Sequence, residues 1–225
     1  MTHVIEASTV GRRLSTPRAA ALAGILFALL MGSAQVLIRV SLPADSTDAD
    51  LLEENARPIR FALNLIPFAG VAFLWFIGVM RDRIGEHEDR FFATIFLGSG
   101  ILYLAMIFAS AAVAGGIIQA YERDPTIVDS DVYPFSRATV YQIANIYALR
   151  MSGVFMMSLG TIWLRTGTMP IWFAVVTYAG ALALLLAADF SGWIVLAFPV
   201  WVLLVSVWIL VVNFRRQQEA NLETT

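Results

Sequence analysis

One segment of this chain gathers side chains able to hold a charged solute: Tyr141, Gln142, Asn145, Tyr147, Arg150 and Ser152 all fall within residues 138–164. Their surroundings are apolar, and Arg150 stands about midway along the segment. A guanidinium at the centre of a bilayer costs roughly 2.5–3.5 kcal/mol on insertion scales, so it is expected to face a bundle interior or a wet cavity. At ~100° per residue, Gln142, Asn145 and Ser152 share one helical face, with Arg150 ~80° round from Gln142. Two readings are open. In one, Arg150, Gln142, Asn145, Tyr141 and Ser152 form an anion-attracting pocket for a carboxylate or phosphate. In the other, Arg150 clamps helices through backbone carbonyls and amide side chains, or snorkels toward an interface. No acidic residue lies inside any apolar stretch, so a carboxylate partner at membrane depth is missing from the sequence.

Other polar residues read as structural. Arg39, one turn after Gln35, is expected to snorkel or to pair with the acidic residues that follow it. Asn64, one turn before Pro67, is placed to bond the carbonyl that the proline frees. The connection 81–90 mixes both signs of charge around His87. A single histidine among carboxylates is a poor metal site, and a solvated loop anchored to headgroups is the expectation. The pairs Asp48/Asp50 and Asp129/Asp131 have calcium-loop spacing but lack the turn glycine and the closing glutamate. No metal or cofactor is expected. Zinc-protease, serine-hydrolase, Walker and dinucleotide motifs are all missing from the sequence, and it holds no cysteine and no lysine, so thiolate and Schiff-base chemistry are excluded. With no basic tail and a net charge of −2, nucleic acid is not an expected partner.

The elements that must position these residues are apolar helices. With 59% hydrophobic and 14% charged residues, the chain reads as an integral membrane protein. Runs long enough for a hydrocarbon core are expected at about 18–40, 61–80, 91–121, 138–164, 170–188 and 193–214, giving an all-α bundle of six spans. They form one transmembrane domain, 18–214, between polar tails 1–17 and 215–225. Arginines 12, 13, 18, 81, 83, 90, 165, 215 and 216 fall on one side, against 57, 60, 123 and 137 on the other. That asymmetry predicts both termini in the cytoplasm and an inner-membrane location. A cleavable leader ending near Ala34 is disfavoured, because the apolar run continues through Ile38. Small residues at Ala20, Gly24, Ala28 and Gly32, at Ala105, Ala109, Ala112 and Gly116, and at Ala179, Ala183 and Ala187 mark expected tight crossings. They serve equally as a seam for a homo-oligomer or another membrane protein. Pro67 and Pro199 are expected to kink their helices.

The segment from Leu159 to Pro170, LGTIWLRTGTMP, reads as a tight hairpin: Arg165 anchors to headgroups, Gly167 reverses the chain and Pro170 starts the next helix. It resembles a segment of uncharacterised bacterial six-span membrane proteins, a domain of unknown function. The resemblance covers about 12 residues plus the topology. It implies a six-helix bundle from a bacterial source and carries no activity. The expected function is a non-enzymatic accessory, regulatory or interaction protein of the bilayer. The alternative is a small permease or binding protein for an anionic or amphiphilic solute, using the pocket around Arg150.

Overall fold

A computed structural model describes residues 16–41, 50–84, 90–186 and 192–222. The tails 1–15 and 223–225, Asp48 and His87 lie outside the described residues. Among the described residues every element is helical and there is no strand. The order is α1 (Thr16–Ser41), α2 (Asp50–Ile84), α3 (Arg90–Arg123), a 3-10 turn (Pro125–Asp129), α4 (Val132–Tyr141), a π-turn (Gln142–Ala148), α5 (Leu149–Thr166), α6 (Ile171–Leu186), a second 3-10 turn (Gly192–Leu196) and α7 (Ala197–Leu222). Four helices are long and apolar enough to cross a membrane: Ala19–Ser41, Asn55–Arg81, Phe91–Arg123 and Gly192–Phe214. They mark the chain as a membrane protein. The expected fourth stretch, 138–164, falls on the continuous helical run α4–π-turn–α5. The fifth falls on α6, an apolar helix of 16 residues, about 24 Å long at 1.5 Å per residue.

Neighbouring helices run antiparallel, and glycine sets how closely they approach. Gly24 of α1 packs on Phe76 of α2 and Ser206 of α7, and a Cβ there would overlap the Ser206 hydroxyl. Gly70 of α2 meets Leu104 and Phe108 of α3, while Gly100 of α3 meets Ile77 and Phe155. Gly153 of α5 approaches the Ala181 carbonyl and Leu185 of α6. In lipid, such close approach replaces the hydrophobic gain that drives packing in water. The core between these crossings is aromatic. Phe73 lies 4.7 Å from Phe27, 5.4 Å from Phe155 and 5.7 Å from Phe198, ring centre to ring centre. The Trp201 indole N–H donates to Thr177 Oγ1 at 3.1 Å, a buried polar tie between α7 and α6.

Two expectations need correction. Only the first small-residue stripe supplies an internal crossing: Ala20, Gly24 and Ala28 are buried. Ala105, Ala109, Ala112 and Gly116 are exposed on α3, as are Ala179 and Ala183 on α6. The α5–α6 crossing uses Gly153 and Gly160 against Ala181 and Thr177 instead. Pro199 is the third residue of α7. In a first turn the missing N–H removes no helical bond, so this proline starts the helix rather than kinking it. Pro67 does lie in a helix interior, as does Pro58, both in α2.

The hairpin between α5 and α6 is built as its sequence implies. Gly167 takes a left-handed φ of 63°, and the Pro170 carbonyl accepts from Phe173 N at 3.0 Å to open α6. The Arg165 guanidinium lies 4.6 Å from the Phe92 ring centre. At the opposite end of the bundle, here called the distal end, α2, α3 and α4 meet in a small cluster of Ile59, Ile118 and Tyr133.

Candidate functional site

A cavity of about 760 Å³ opens in the distal half of the bundle. That is within the range of small-molecule pockets, roughly 300–1,000 Å³. Its two sides differ in chemistry. One wall comes from α2 and α3 and is apolar, with Ile59, Leu63, Ile66, Ile107, Ala114 and Ile118. The other comes from the end of α1, from α4 and from the π-turn, and carries Gln35, Arg39, Tyr133, Arg137, Tyr141 and Asn145. From Ile107 to Ile118 the lining covers about 16 Å of helix at 1.5 Å per residue.

Arg39 is the centre of the polar wall. Its Nη2 donates to Asn145 Oδ1 at 2.6 Å, a charge-assisted bond between α1 and the π-turn. Gly192 lies directly against the guanidinium; a Cβ at that position would sit 2.7 Å from Nη1. The π-turn is what brings Asn145 here. Its wider i→i+5 bonding rearranges the local carbonyls, and the Asn145 amide donates to the Tyr141 carbonyl at 3.1 Å. Ser110 of α3 donates to the Val140 carbonyl at 3.2 Å, just before the same turn. Two polar atoms of this wall, Gln35 Oε1 and the Tyr133 hydroxyl, are buried without a hydrogen-bond partner among the described residues. Such atoms cost free energy unless something in the cavity bonds them.

The distal rim is held by short-range contacts. The Arg137 guanidinium lies 5.9 Å from the Tyr133 ring centre. Arg60 and Glu122 form an exposed ion pair between α2 and α3. Asp124 caps the 3-10 turn that carries Val128 to the cavity, accepting from Thr126 N at 3.0 Å and from Thr126 Oγ1 at 2.7 Å. These two bonds from Thr126 hold the Asp124 carboxyl below its ordinary pKa.

The structure divides the expected cluster. Tyr141 and Asn145 line the cavity. Gln142 and Arg150 are exposed and do not line it. Ser152 is fully buried and donates to the Leu149 carbonyl at 2.6 Å. Arg150 therefore does not face the bundle interior, and Gln142, Asn145 and Ser152 do not share a face. The reason is the π-turn between residues 142 and 148. A wheel drawn at 100° per residue loses its register across a turn that holds an extra residue.

Arg39, Gln35, Tyr133, Arg137 and Ser110 enter the site unannounced. The usable signal was Gln35 and Arg39 at i, i+4, two polar residues stacked on one face of an otherwise apolar helix. Arg39, expected to snorkel or to pair with the acidic residues that follow it, bonds Asn145; the loop 42–49 lies outside the described residues. Among the described residues no cluster of three metal-ligating side chains occurs, Asp129 and Asp131 included. No family model, curated protein or solved structure matches the chain.

Proposed function

We propose that this protein is a non-enzymatic, six-span protein of the bacterial inner membrane that binds an amphiphile carrying an anionic group. The arginine asymmetry supports both termini in the cytoplasm, which turns the distal cavity toward the outer side. The observation that carries the reading is the two-sided cavity, with isoleucines along one wall and Arg39 fixed by Asn145 on the other. An anion accepts from the remaining Arg39 donors, and the apolar portion lies against α2 and α3. The tight hairpin between α5 and α6, and their packing on one another, support counting the α4–α5 run and α6 as the two remaining passes.

The test is titration of the full-length protein in maltoside micelles with decyl phosphate, followed by thermal unfolding and by native mass spectrometry. Wild type is expected to bind decyl phosphate and to be stabilised by it, with neutral decyl glucoside as the control. Arg39→Gln is expected to weaken binding about 10- to 100-fold, the worth of a charged hydrogen bond. Equal binding of the neutral and anionic amphiphiles, or unchanged affinity in Arg39→Gln, overturns the reading. A second reading, an accessory subunit acting through helix contacts, is favoured by the exposed small face of α3: Ala105, Ala109, Ala112 and Gly116. Cross-linking through Ala109→Cys tests it in native membranes.

A further inference from the structure

Arg150 is exposed on α5, away from the cavity, and its depth follows from its distance to the hairpin. Gly153 packs against Ala181 and Leu185 of α6, whose last described residue is Leu186. Arg150 precedes Gly153 by three residues, about 4.5 Å further toward the distal end at 1.5 Å per residue. It lies 16 residues before the end of α5 at Thr166, about 24 Å from the hairpin, where its long side chain reaches the far edge of a hydrocarbon core about 30 Å thick. Tyr147, three residues earlier, is also exposed, at 57%. An exposed tyrosine and arginine at that level have the chemistry of an interfacial anchor. The surface beside them is apolar: Leu182 is 54% exposed and Leu186 is 74% exposed. Among the described residues no ion pair or hydrogen bond engages the Arg150 guanidinium.

We propose that Arg150 and Tyr147 form a binding site for the phosphodiester of an anionic phospholipid in the leaflet on the distal side. The guanidinium fork donates to two phosphate oxygens and the tyrosine hydroxyl donates to a third. The acyl chains run down the exposed leucines of α6. A lipid without a compensating ammonium leaves the arginine as sole counter-ion, so phosphatidylglycerol is preferred over phosphatidylcholine. The site stands apart from the cavity, and it requires only that α5 and α6 lie in the membrane.

Full-length protein, delipidated in maltoside micelles and offered equal amounts of the two lipids, is examined by native mass spectrometry. Wild type is expected to retain phosphatidylglycerol over phosphatidylcholine by about fivefold, the worth of one basic residue near an anionic surface. Arg150→Gln is expected to abolish the preference, Arg150→Lys to keep part of it, and Arg39→Gln to leave it unchanged. Should Arg150→Gln fail to fold, Tyr147→Leu takes its place and is expected to lower the preference while the charge remains. Equal retention of both lipids by wild type overturns the proposal, as does an unaltered preference in Arg150→Gln or, where that variant does not fold, in Tyr147→Leu. Loss of a bound protein subunit in Arg150→Gln, with lipid retention unchanged, also overturns it and assigns the face to a partner helix.

Discussion

A double-mutant cycle between Arg39 and Asn145 separates the contact that positions Arg39 from everything else the π-turn does. Arg39 Nη2 reaches Asn145 Oδ1 at 2.6 Å, short enough to count among the stronger bonds of the bundle. Hydrogen bonds to charged groups are worth about 1.5–3 kcal/mol net in soluble proteins. Double-mutant cycles inside membranes average about 0.6 kcal/mol and reach about 1.7. A charged donor on a half-buried side chain belongs near the upper membrane value, so a coupling of about 1–1.7 kcal/mol is expected. Asn145→Leu alone should cost more than the coupling, because the bond to the Tyr141 carbonyl at 3.1 Å is lost as well. The assay is reversible unfolding of the full chain in mixed micelles by added dodecyl sulfate. It compares wild type, Asn145→Leu, Arg39→Met and the double variant. Single effects that sum to the double effect within about 0.3–0.5 kcal/mol would mean the two residues act independently, and the reasoning about the polar wall would fail.

Gly192→Ala is expected to leave the fold intact and to weaken decyl phosphate binding several-fold. The new methyl displaces the mobile end of Arg39 rather than any backbone, and titration against wild type checks this. Gly153→Val should destabilise the α5–α6 crossing by about 1–3 kcal/mol, since its Cβ would stand 3.0 Å from a backbone carbonyl that has no room to yield; unfolding in micelles reads the loss. The Asp124 carboxyl is held below its ordinary pKa by Thr126, so the cap contributes fully above about pH 4 and is lost as pH falls through the lowered folded value. Amide exchange at Thr126 should therefore quicken in acid beyond its intrinsic rate in wild type, and Asp124→Ala should lack that extra pH dependence.

Much of the helical content was legible from the sequence because long apolar runs admit few alternatives. The stretches 18–40, 91–121 and 193–214 fall on α1, α3 and Gly192–Phe214, as lipid-length periodicity requires. The hairpin at Gly167 was legible for a local reason: glycine alone takes the left-handed turn at no steric cost. The site was only half legible. Asn145 and Tyr141 were found through their polarity in an apolar run, but Arg150 drew attention by charge alone and points elsewhere. A π-turn leaves no residue signature that propensity detects, and it displaces every helical projection drawn across it. Arg39 was discounted because helix ends commonly carry snorkelling arginines, and its partner lies 106 residues away in the chain. The exposed small faces of α3 and α6 mark a related limit: small residues permit close approach without saying which neighbour makes it.

The surplus residue in the Gln142–Ala148 turn makes this the one place among the described residues where a deletion has a compensating geometry to fall into. Excising Ala144 would let the chain rewind as ordinary α-helix, with α4 and α5 keeping the faces they present, because the turn had absorbed the extra residue. Tyr133 and Arg137 would stay opposite the isoleucines and the aromatic packing around Phe155 would stay put, while the local bond from Asn145 to the Tyr141 carbonyl would change. A one-residue shortening here would thus remove the turn itself while sparing the helices on both sides of it, something no side-chain replacement achieves.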